Sequence, residues 1–273
     1  MARITTRIDA DYNRTLAAPV RWVRAASAAA AQFIAPLINW CCTPARRLWA
    51  PPLVWAVVLV IALVPIDGAV SRWAAAVGQR LGGDLRRELE MLQQYGDLAT
   101  LVITALLVFL LDPAKRRRLL DLAAAAIFTS IVVFALKMAV GRPRPELGDP
   151  AYFLGPLGSY PIPPKVGVRH AWEFWSGISS KLWSMPSSHT SGAVALSVFL
   201  IALYPRLRSF AVAMPMIVGV CRVMFGSHYP SDVVAGALVG LATARPAIEG
   251  RWGSRLVRAS QPGAIADSVS DGG

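Results

Sequence analysis

The 273-residue sequence contains little charge for its length. Charged residues make up only 16% of the chain, hydrophobic residues make up 55%, and the mean hydropathy is +0.48. This balance lies outside the usual range of soluble globular proteins. The composition therefore indicates a protein that crosses the membrane several times.

Cysteine and histidine are also scarce, with three residues of each. Three cysteines, two of them adjacent at Cys41 and Cys42, are too few for a disulfide framework. The sequence has no cluster of Cys, His or carboxylate residues with the spacing of metal ligands. We therefore expect neither a metal ion nor another cofactor.

The sequence lacks a basic low-complexity tail, although its formal net charge is +12. Nucleic acid is therefore the least favoured partner, and the charge is better explained by anionic lipid head groups or by topology signals in loops. A cleavable signal peptide is also not expected, because charged residues interrupt the first fourteen positions. We expect the first membrane span to act as the insertion signal.

Six apolar runs follow one another along the chain. They cover residues 48–66, 98–111, 122–140, 190–204, 210–226 and 233–244. The first run is long enough to cross about 28 Å as a helix, close to the hydrocarbon thickness of a bilayer. Several others are shorter than 18 residues, which is also typical of buried helices in soluble proteins.

The distribution of basic residues favours six transmembrane helices. When six spans are threaded with both termini on one side, that side collects most of the 28 Lys and Arg residues. The positive-inside rule then places both termini in the cytoplasm and residues 141–188 outside it. The predicted fold is an all-α, six-helix membrane bundle with a long extracytoplasmic loop between helices 3 and 4.

This organisation divides the chain into three parts. Residues 1–47 form a basic arm with a predicted interfacial helix, residues 48–244 form the six-span domain, and residues 245–273 form a disordered cytoplasmic tail. Gly236 and Gly240 form a GxxxG pair in the last apolar run. Such pairs allow close contact between helices in a bundle.

Polar residues suited to phosphate chemistry are found where several of these runs meet the outer face. His228 and Asp232 lie just before the last run, Arg222 lies near the end of the fifth, and Lys137 lies near the end of the third. A neutral imidazole can attack phosphorus, and a carboxylate can hold the other ring nitrogen. A histidine and an aspartate beside a helix start are more often a helix cap and a surface pair, so this group needs partners elsewhere.

Partners are present, and together the residues resemble the PAP2 (type 2 phosphatidic acid phosphatase) superfamily. Its signature consists of the blocks K-x6-R-P, P-S-G-H and S-R-x5-H-x3-D. The matching residues are Lys137, Arg144 and Pro145, then Pro186, Ser187, Ser188 and His189, then Cys221, Arg222, His228 and Asp232. Ser188 stands where the family has glycine, and Cys221 stands where it has serine.

The resemblance implies a role for each matched residue. His228 would form a phosphohistidine, Asp232 would orient its ring, and His189 would protonate the leaving group and then activate water. The phosphate would be bound by Lys137, Arg144, Arg222, the hydroxyl of Ser187 and the backbone N–H near Ser188. No metal is implied, because the cations stabilise the developing charge.

Two further residues are possible contacts to a lipid head group. Arg142 lies two residues before Arg144, where it could bind a second phosphate or an anionic lipid. His170 lies in the long loop among several aromatic residues. We expect these aromatics to anchor the loop at the membrane interface, where they could also cover the bound lipid.

The resulting hypothesis is a metal-independent lipid phosphatase of a bacterial inner membrane, with its site facing the periplasm or exterior. Candidate substrates are polyprenyl diphosphate, phosphatidate, phosphatidylglycerol phosphate and a lipid A-type phosphate. Two alternatives remain open: a lipid phosphotransferase that uses the same intermediate, and a non-catalytic lipid phosphate binder or transporter. Anionic lipid at the cytoplasmic face is the second expected partner, and the sequence does not define an oligomeric state.

Overall fold

The structure is a computed structural model and describes residues 50–161, 168–176 and 179–259. These ranges are mostly helical, as predicted. The α-helices are α1 (Ala50–Gln79), α2 (Gly83–Leu92), α3 (Leu98–Leu111), α4 (Leu119–Val140), α5 (Ser188–Leu203), α6 (Arg208–Met224), α7 (Pro230–Glu249) and α8 (Trp252–Ala259). The chain divides into two units, Met1–Trp55 and Ala56–Gly273, and the contacts described below lie within the second.

The connections contain short irregular elements. Single turns of 3-10 helix lie at Gln93–Gly96, Pro113–Arg118, Pro145–Leu147, Phe174–Ser176, Ser179–Leu182 and Pro205–Leu207. In the connection between α4 and α5, the two-residue strands β1 (Tyr160–Pro161) and β2 (Val168–Arg169) pair antiparallel, with Tyr160 opposite Arg169. The long predicted loop therefore has local structure of its own.

Four helical segments of the described chain are long and apolar enough to cross a membrane. They are Val54–Gln79, Pro113–Leu147, Pro205–Met224 and Pro230–Val257. A fifth exists if α2 and α3, which are bent by 68° at their junction, form one span. The remaining predicted run, residues 190–204, corresponds to α5, which is apolar but has only 16 residues. The membrane character is supported, while the six-span topology stays a prediction.

The first helix is longer than its apolar run. The predicted run ends at Ile66, but α1 continues through Asp67 to Gln79. A charged residue inside an apolar helix is tolerated when it is paired within the protein. Asp67 is fully buried and paired with Arg142, so the helix has no reason to end there.

The core is centred on α5, which packs against α4, α6 and α7. Leu196 and Phe199 of α5 are buried there together with Val218 of α6 and Ile248 of α7. In contrast, α1, α3 and α4 keep large apolar side chains exposed. Such apolar surface is typical of a face that contacts lipid or a protein partner.

The GxxxG pair lies where α7 crosses α5. A Cβ atom at Gly236 would lie 2.5 Å from the carbonyl oxygen of Ser187, and one at Gly240 would lie 2.5 Å from that of Ser191. No larger residue fits at either position without moving a helix. The predicted close helix contact is confirmed, and it brings the start of α5 against α7.

The predicted domain boundary at Ala244 falls inside α7, which continues to Glu249 and is followed by α8. Arg245 and Glu249 form an ion pair in the last turn of α7. The backbone N–H and hydroxyl of Ser254 in α8 donate to the buried carboxylate of Asp121 in α4. The predicted N-terminal arm and the end of the predicted tail lie outside the described residues.

Candidate active site

His228 and Asp232 lie at the start of α7. Asp232 caps the helix, since its Oδ2 accepts a hydrogen bond of 2.9 Å from the backbone N–H of Tyr229. The hydroxyl of Ser184 donates to the same oxygen at 2.5 Å. Nδ1 of His228 lies 3.7 Å from Oδ2, slightly beyond hydrogen-bond distance. The carboxylate is therefore held beside the Nδ1 edge of the imidazole ring.

The imidazole of His228 is buried. Within the described residues, neither of its ring nitrogens has a hydrogen-bond partner. Burial lowers the pKa of His228 to about 4, and this effect outweighs the opposing influence of Asp232. The ring is therefore neutral near pH 7, and its Nε2 carries a lone pair suited to attack on an electrophile.

The start of α5 holds the second block of predicted site residues. Ser187 is the N-cap, and its hydroxyl oxygen accepts from the backbone N–H and the hydroxyl of Thr190. Its own backbone N–H donates to the carbonyl oxygen of Asp232 at 3.0 Å, which ties α5 to α7. The hydroxyl oxygen of Ser187 is therefore engaged in capping α5. The predicted contact of this hydroxyl with a phosphate stays a prediction.

Three cations converge on this helix start from different segments. Lys137 comes from the last turn of α4, Arg144 follows that helix, and Arg222 comes from the last turn of α6. Lys137 interacts electrostatically with both arginines, and its Nζ donates to the hydroxyl of Ser188 at 3.3 Å. Three neighbouring positive charges repel one another, so their convergence favours an anionic ligand.

Two of these cations have buried nitrogens that no protein group satisfies. In the described part of the chain, Nε of Arg144 and Nε of Arg222 have no hydrogen-bond partner. Another nitrogen of Arg222 donates to Gln93 at 3.3 Å. Buried donors without acceptors are costly, and phosphate oxygens would satisfy them.

His189 is the second residue of α5 and lies beside these cations. It interacts electrostatically with Arg222, Lys137 and Arg144, and also with Asp97, the N-cap residue of α3. His228 interacts with two of the same cations, Arg222 and Lys137. The structure therefore brings the two predicted histidines to one cluster of positive charge.

A cavity of about 390 Å³ opens from this cluster between α3, α4 and α5. Lys137, Ser188 and His189 of this cluster line it. The rest of its lining is largely apolar, with Leu101, Ala126, Val133, Phe134, Ala195 and Leu196, and also contains the polar residues Asp97, Thr129, Ser130 and Ser191. The cavity thus combines cationic and polar groups with a largely apolar wall, which suits an amphipathic ligand.

The structure corrects the expectation for Arg142. This residue is fully buried, and its guanidinium forms ion pairs with Asp67 at 2.7 Å and Asp232 at 2.6 Å. A lipid head group cannot reach a side chain enclosed in this way. Arg142 instead holds the carboxylate of Asp232 through a buried ion pair.

His170 is engaged within the long loop. Its Nδ1 lies 2.8 Å from the carbonyl oxygen of Gly158, and its ring stacks on that of Trp172 with the centroids 5.2 Å apart. Near it, Trp175 and Phe174 are more than half exposed. The predicted interfacial anchoring by these aromatics and the head-group contact of His170 stay predictions.

Sequence reasoning missed the polar residues that surround Asp232. Asp67, Ser184 and Ser231 are fully buried and hydrogen-bonded in this cluster. The serines belong to no distinctive pattern. The position of Asp67 directly after an apolar run could have indicated it, because an acidic residue there can lie inside a membrane helix and belong to a functional site.

No group of three or more His, Cys, Asp or Glu residues in the described ranges is arranged to hold a metal ion. The arrangement can instead bind an anion through three cations, with two histidines at hand for nucleophilic and acid–base chemistry. These groups are the ones that an enzyme acting on phosphoric esters needs.

Comparison with known proteins identifies the family. The sequence model of the PAP2 superfamily matches residues 118–255, just over half of the chain. The chain belongs to the PAP2 superfamily. The matched segment contains all three groups of residues on which the resemblance was based.

Curated relatives are phosphatases of lipids. Over 207 residues the chain is 28% identical to a lipid A 1-phosphatase of Rhizobium johnstonii, covering 70% of this chain and 78% of that protein. Over 148 residues it is 29% identical to "Probable diacylglycerol pyrophosphate phosphatase 1" of Schizosaccharomyces pombe, covering 47% and 51% of the two chains. The protein is thus a phosphoric ester hydrolase of the PAP2 type.

Two solved structures are similar at 17% sequence identity. LpxE from Aquifex aeolicus has a TM-score of 0.46 and covers 65% of this chain and 93% of its own. The PAP2-type phosphatidylglycerolphosphate phosphatase from Bacillus subtilis has a TM-score of 0.45 and covers 73% and 94%.

Proposed function

We propose that the protein removes phosphate from a membrane lipid through a phosphohistidine formed on His228. One observation carries the proposal: His189 and His228 both interact with Arg222 and Lys137, beside buried nitrogens that have no partner in the described chain. The cluster has a nucleophile, an acid–base group and an anion site, and its members His189 and Lys137 also line the cavity. These are the parts that phosphoryl transfer requires.

In the first step, Nε2 of His228 attacks phosphorus and the bond from phosphorus to the lipid oxygen breaks. The negative charge of the bound phosphate favours the protonated form of His189, which then donates its proton to the leaving oxygen, so that the product leaves as an alcohol or a phosphate. Asp232 faces Nδ1 of His228 and stabilises the positive charge that develops on the ring. Lys137, Arg144 and Arg222 stabilise the negative charge on the transferring phosphoryl group.

In the second step, water attacks the phosphohistidine. His189 is then neutral and accepts a proton from the water, while the bond between Nε2 and phosphorus breaks. Free phosphate leaves and both histidines return to their starting states. Because water is the acceptor, this sequence makes the protein a phosphatase and not a phosphotransferase.

A lipid A-type phosphate is the leading candidate substrate. The relatives with 78% and 82% of their length covered are lipid A 1-phosphatases. The largely apolar cavity between α3, α4 and α5 supports a lipid over a small soluble phosphate, because Lys137 and His189 also line it. A diphosphate such as diacylglycerol pyrophosphate is the second candidate, since one relative carries that name.

The proposed orientation follows from the basic residues. Lys115, Arg116 and Arg117 lie between α3 and α4, at the opposite end of α4 from Lys137. The positive-inside rule places this basic end in the cytoplasm, and the site then faces the periplasm or exterior of a bacterial inner membrane. Six spans with both termini in the cytoplasm accommodate this arrangement.

The test is phosphate release from a panel of lipid phosphates in detergent micelles. The panel contains a lipid A-type 1-phosphate, diacylglycerol pyrophosphate, phosphatidate, phosphatidylglycerol phosphate and a polyprenyl diphosphate. We expect release without any added acceptor, fastest with the lipid A-type substrate, and none from His228→Gln. Release only when an acceptor lipid is present would identify a phosphotransferase, and binding without release would identify a binder or transporter.

A further inference from the structure

A second buried carboxylate lies behind the candidate active site. Asp67 belongs to α1, far from the signature residues in sequence, and is fully buried. Its Oδ1 accepts from the backbone N–H of Ser231 at 3.0 Å, and its Oδ2 accepts from the hydroxyl of Ser231. A buried carboxylate in an apolar helix costs several kcal/mol unless it is paired, so a specific role is expected.

Arg142 joins Asp67 to Asp232. One terminal nitrogen donates to Asp67 at 2.7 Å, and the other donates to Asp232 Oδ1 at 2.6 Å and to the hydroxyl of Ser231 at 2.7 Å. Its Nε donates to the carbonyl oxygen of Pro150 at 3.1 Å, and the guanidinium lies 4.3 Å from the ring centre of Tyr229. Each nitrogen of the Arg142 guanidinium therefore has a hydrogen-bond acceptor, and these bonds fix its orientation.

This arrangement fixes the orientation of Asp232. Arg142 binds Oδ1, so that Oδ2 is left for Ser184, for the backbone of Tyr229 and for the face toward His228. Arg142 thus adds a contact on Oδ1 to the two that Ser184 and Tyr229 make with Oδ2, and together these contacts hold Oδ2 on the side of His228 Nδ1.

The charges of the cluster also matter. Arg142 alone would neutralise Asp232 and weaken its attraction for a positive ring. Asp67 supplies a second negative charge, so the two carboxylates and one guanidinium carry a formal charge of −1. This net negative charge stabilises the positive charge that develops on His228 when it attacks phosphorus.

We propose that Asp67 is a positioning residue for phosphoryl transfer, which acts on His228 through Arg142 and Asp232. This inference rests on the proposed function of His228. It assigns to α1 a role in catalysis, although α1 lies outside the segment that the family model matches. It also explains why Arg142 is buried beneath the site and does not face the ligand.

The test is the variant Asp67→Asn, which keeps the shape of the side chain and removes its charge. We expect kcat to fall about 10- to 100-fold, less than the ~10⁴-fold typical when the aspartate of a catalytic triad is altered. KM should change less than about threefold, because Asp67 touches no substrate. In an Asp232→Asn background, adding Asp67→Asn should lower kcat by less than about twofold, because the path to His228 is already broken.

Asp121→Asn is the matched control. Asp121 is also fully buried, pairs with an arginine, Arg118, at 3.1 Å, and accepts hydrogen bonds from a serine, but it lies at the other end of α4. We expect it to lower the thermal unfolding temperature in detergent as much as Asp67→Asn does, with kcat unchanged. A kcat of Asp67→Asn equal to that of Asp121→Asn would overturn the inference.

A second variant covers the case in which Asp67→Asn does not fold. Ser231→Ala removes the hydroxyl that contacts Asp67 and Arg142 but keeps the backbone bond to Asp67, and we expect kcat to fall about 2- to 10-fold. If neither variant folds while Asp121→Asn does, the cluster is structural and the inference is wrong. Failure of the proposed function itself would appear in the wild-type protein, which would release no phosphate.

Discussion

Replacing Gly236 by alanine should separate the two halves of the active site. The new Cβ would lie 2.5 Å from the carbonyl oxygen of Ser187, whereas real Cβ atoms essentially never approach closer than 3.0 Å. The start of α5 must therefore move away from α7 by at least about 0.5 Å. Because α5 carries His189 and α7 carries Asp232, this movement changes the geometry of catalysis directly.

The expected magnitude follows from this displacement. Misplacement of catalytic groups by about 1 Å can cost ~10²-fold in rate, so we expect kcat/KM to fall about 10- to 100-fold. Overpacking of this kind typically costs about 1–3 kcal/mol of stability. Gly240→Ala places a similar clash one turn further along, against Ser191, and should cost similar stability with a smaller loss of activity.

The assay is phosphate release from a lipid phosphate in micelles, measured beside thermal unfolding of the same samples. Gly82→Ala is the matched control, because a Cβ there meets nothing within 4 Å. We expect this control to retain the activity and stability of the wild type. A Gly236→Ala protein with kcat/KM within twofold of the wild type would refute the geometric argument.

Three further predictions concern the ligand site. Because burial lowers the pKa of His228 to about 4, below the ordinary 6.5, the folded protein binds fewer protons at this site than the unfolded chain between these values. Stability should therefore fall as the pH is lowered from about 6.5 to 4, and His228→Gln should reduce this dependence in pH-dependent thermal unfolding; an unchanged profile would contradict it. Ser188→Gly removes the hydroxyl that accepts from Lys137, and freeing Nζ for the substrate should lower KM about 2- to 10-fold. A raised KM would instead mean that the Ser188 hydroxyl itself binds phosphate. Phosphate release should be unaffected by EDTA, because Lys137, Arg144 and Arg222 provide the positive charge; loss of activity that added divalent metal restores would be the opposite result.

The helices and the signature residues of the site could be predicted from the sequence, whereas the residues that support them could not. Within the described residues, each of the six apolar runs coincides with a helix over most of its length, because hydrophobicity over a dozen residues is a local property of the sequence. His189 and His228 were found because their spacing to neighbouring residues forms distinctive blocks. Their convergence with Lys137 could be predicted from these blocks, since helices of a bundle meet at common ends.

The supporting residues could not be found in this way. Asp67 and Arg142 are 75 positions apart, and no spacing rule links them. Arg142 was assigned to the lipid because its charge is visible in the sequence and its burial is not. Asp67 was left outside the first apolar run, 48–66, for the same reason, since the free energy of a buried charge depends on partners that only the fold brings together.

The central claim is that His228 carries the phosphoryl group during turnover. The direct measurement is rapid alkaline quenching of the enzyme with a lipid substrate labelled on its phosphate, followed by mapping of the labelled peptide. We predict a label on His228 that forms before phosphate is released, survives base and is lost in acid, and is missing from His228→Gln. Phosphate release by the wild type with no label on His228, or a label that persists in His228→Gln, would contradict the account.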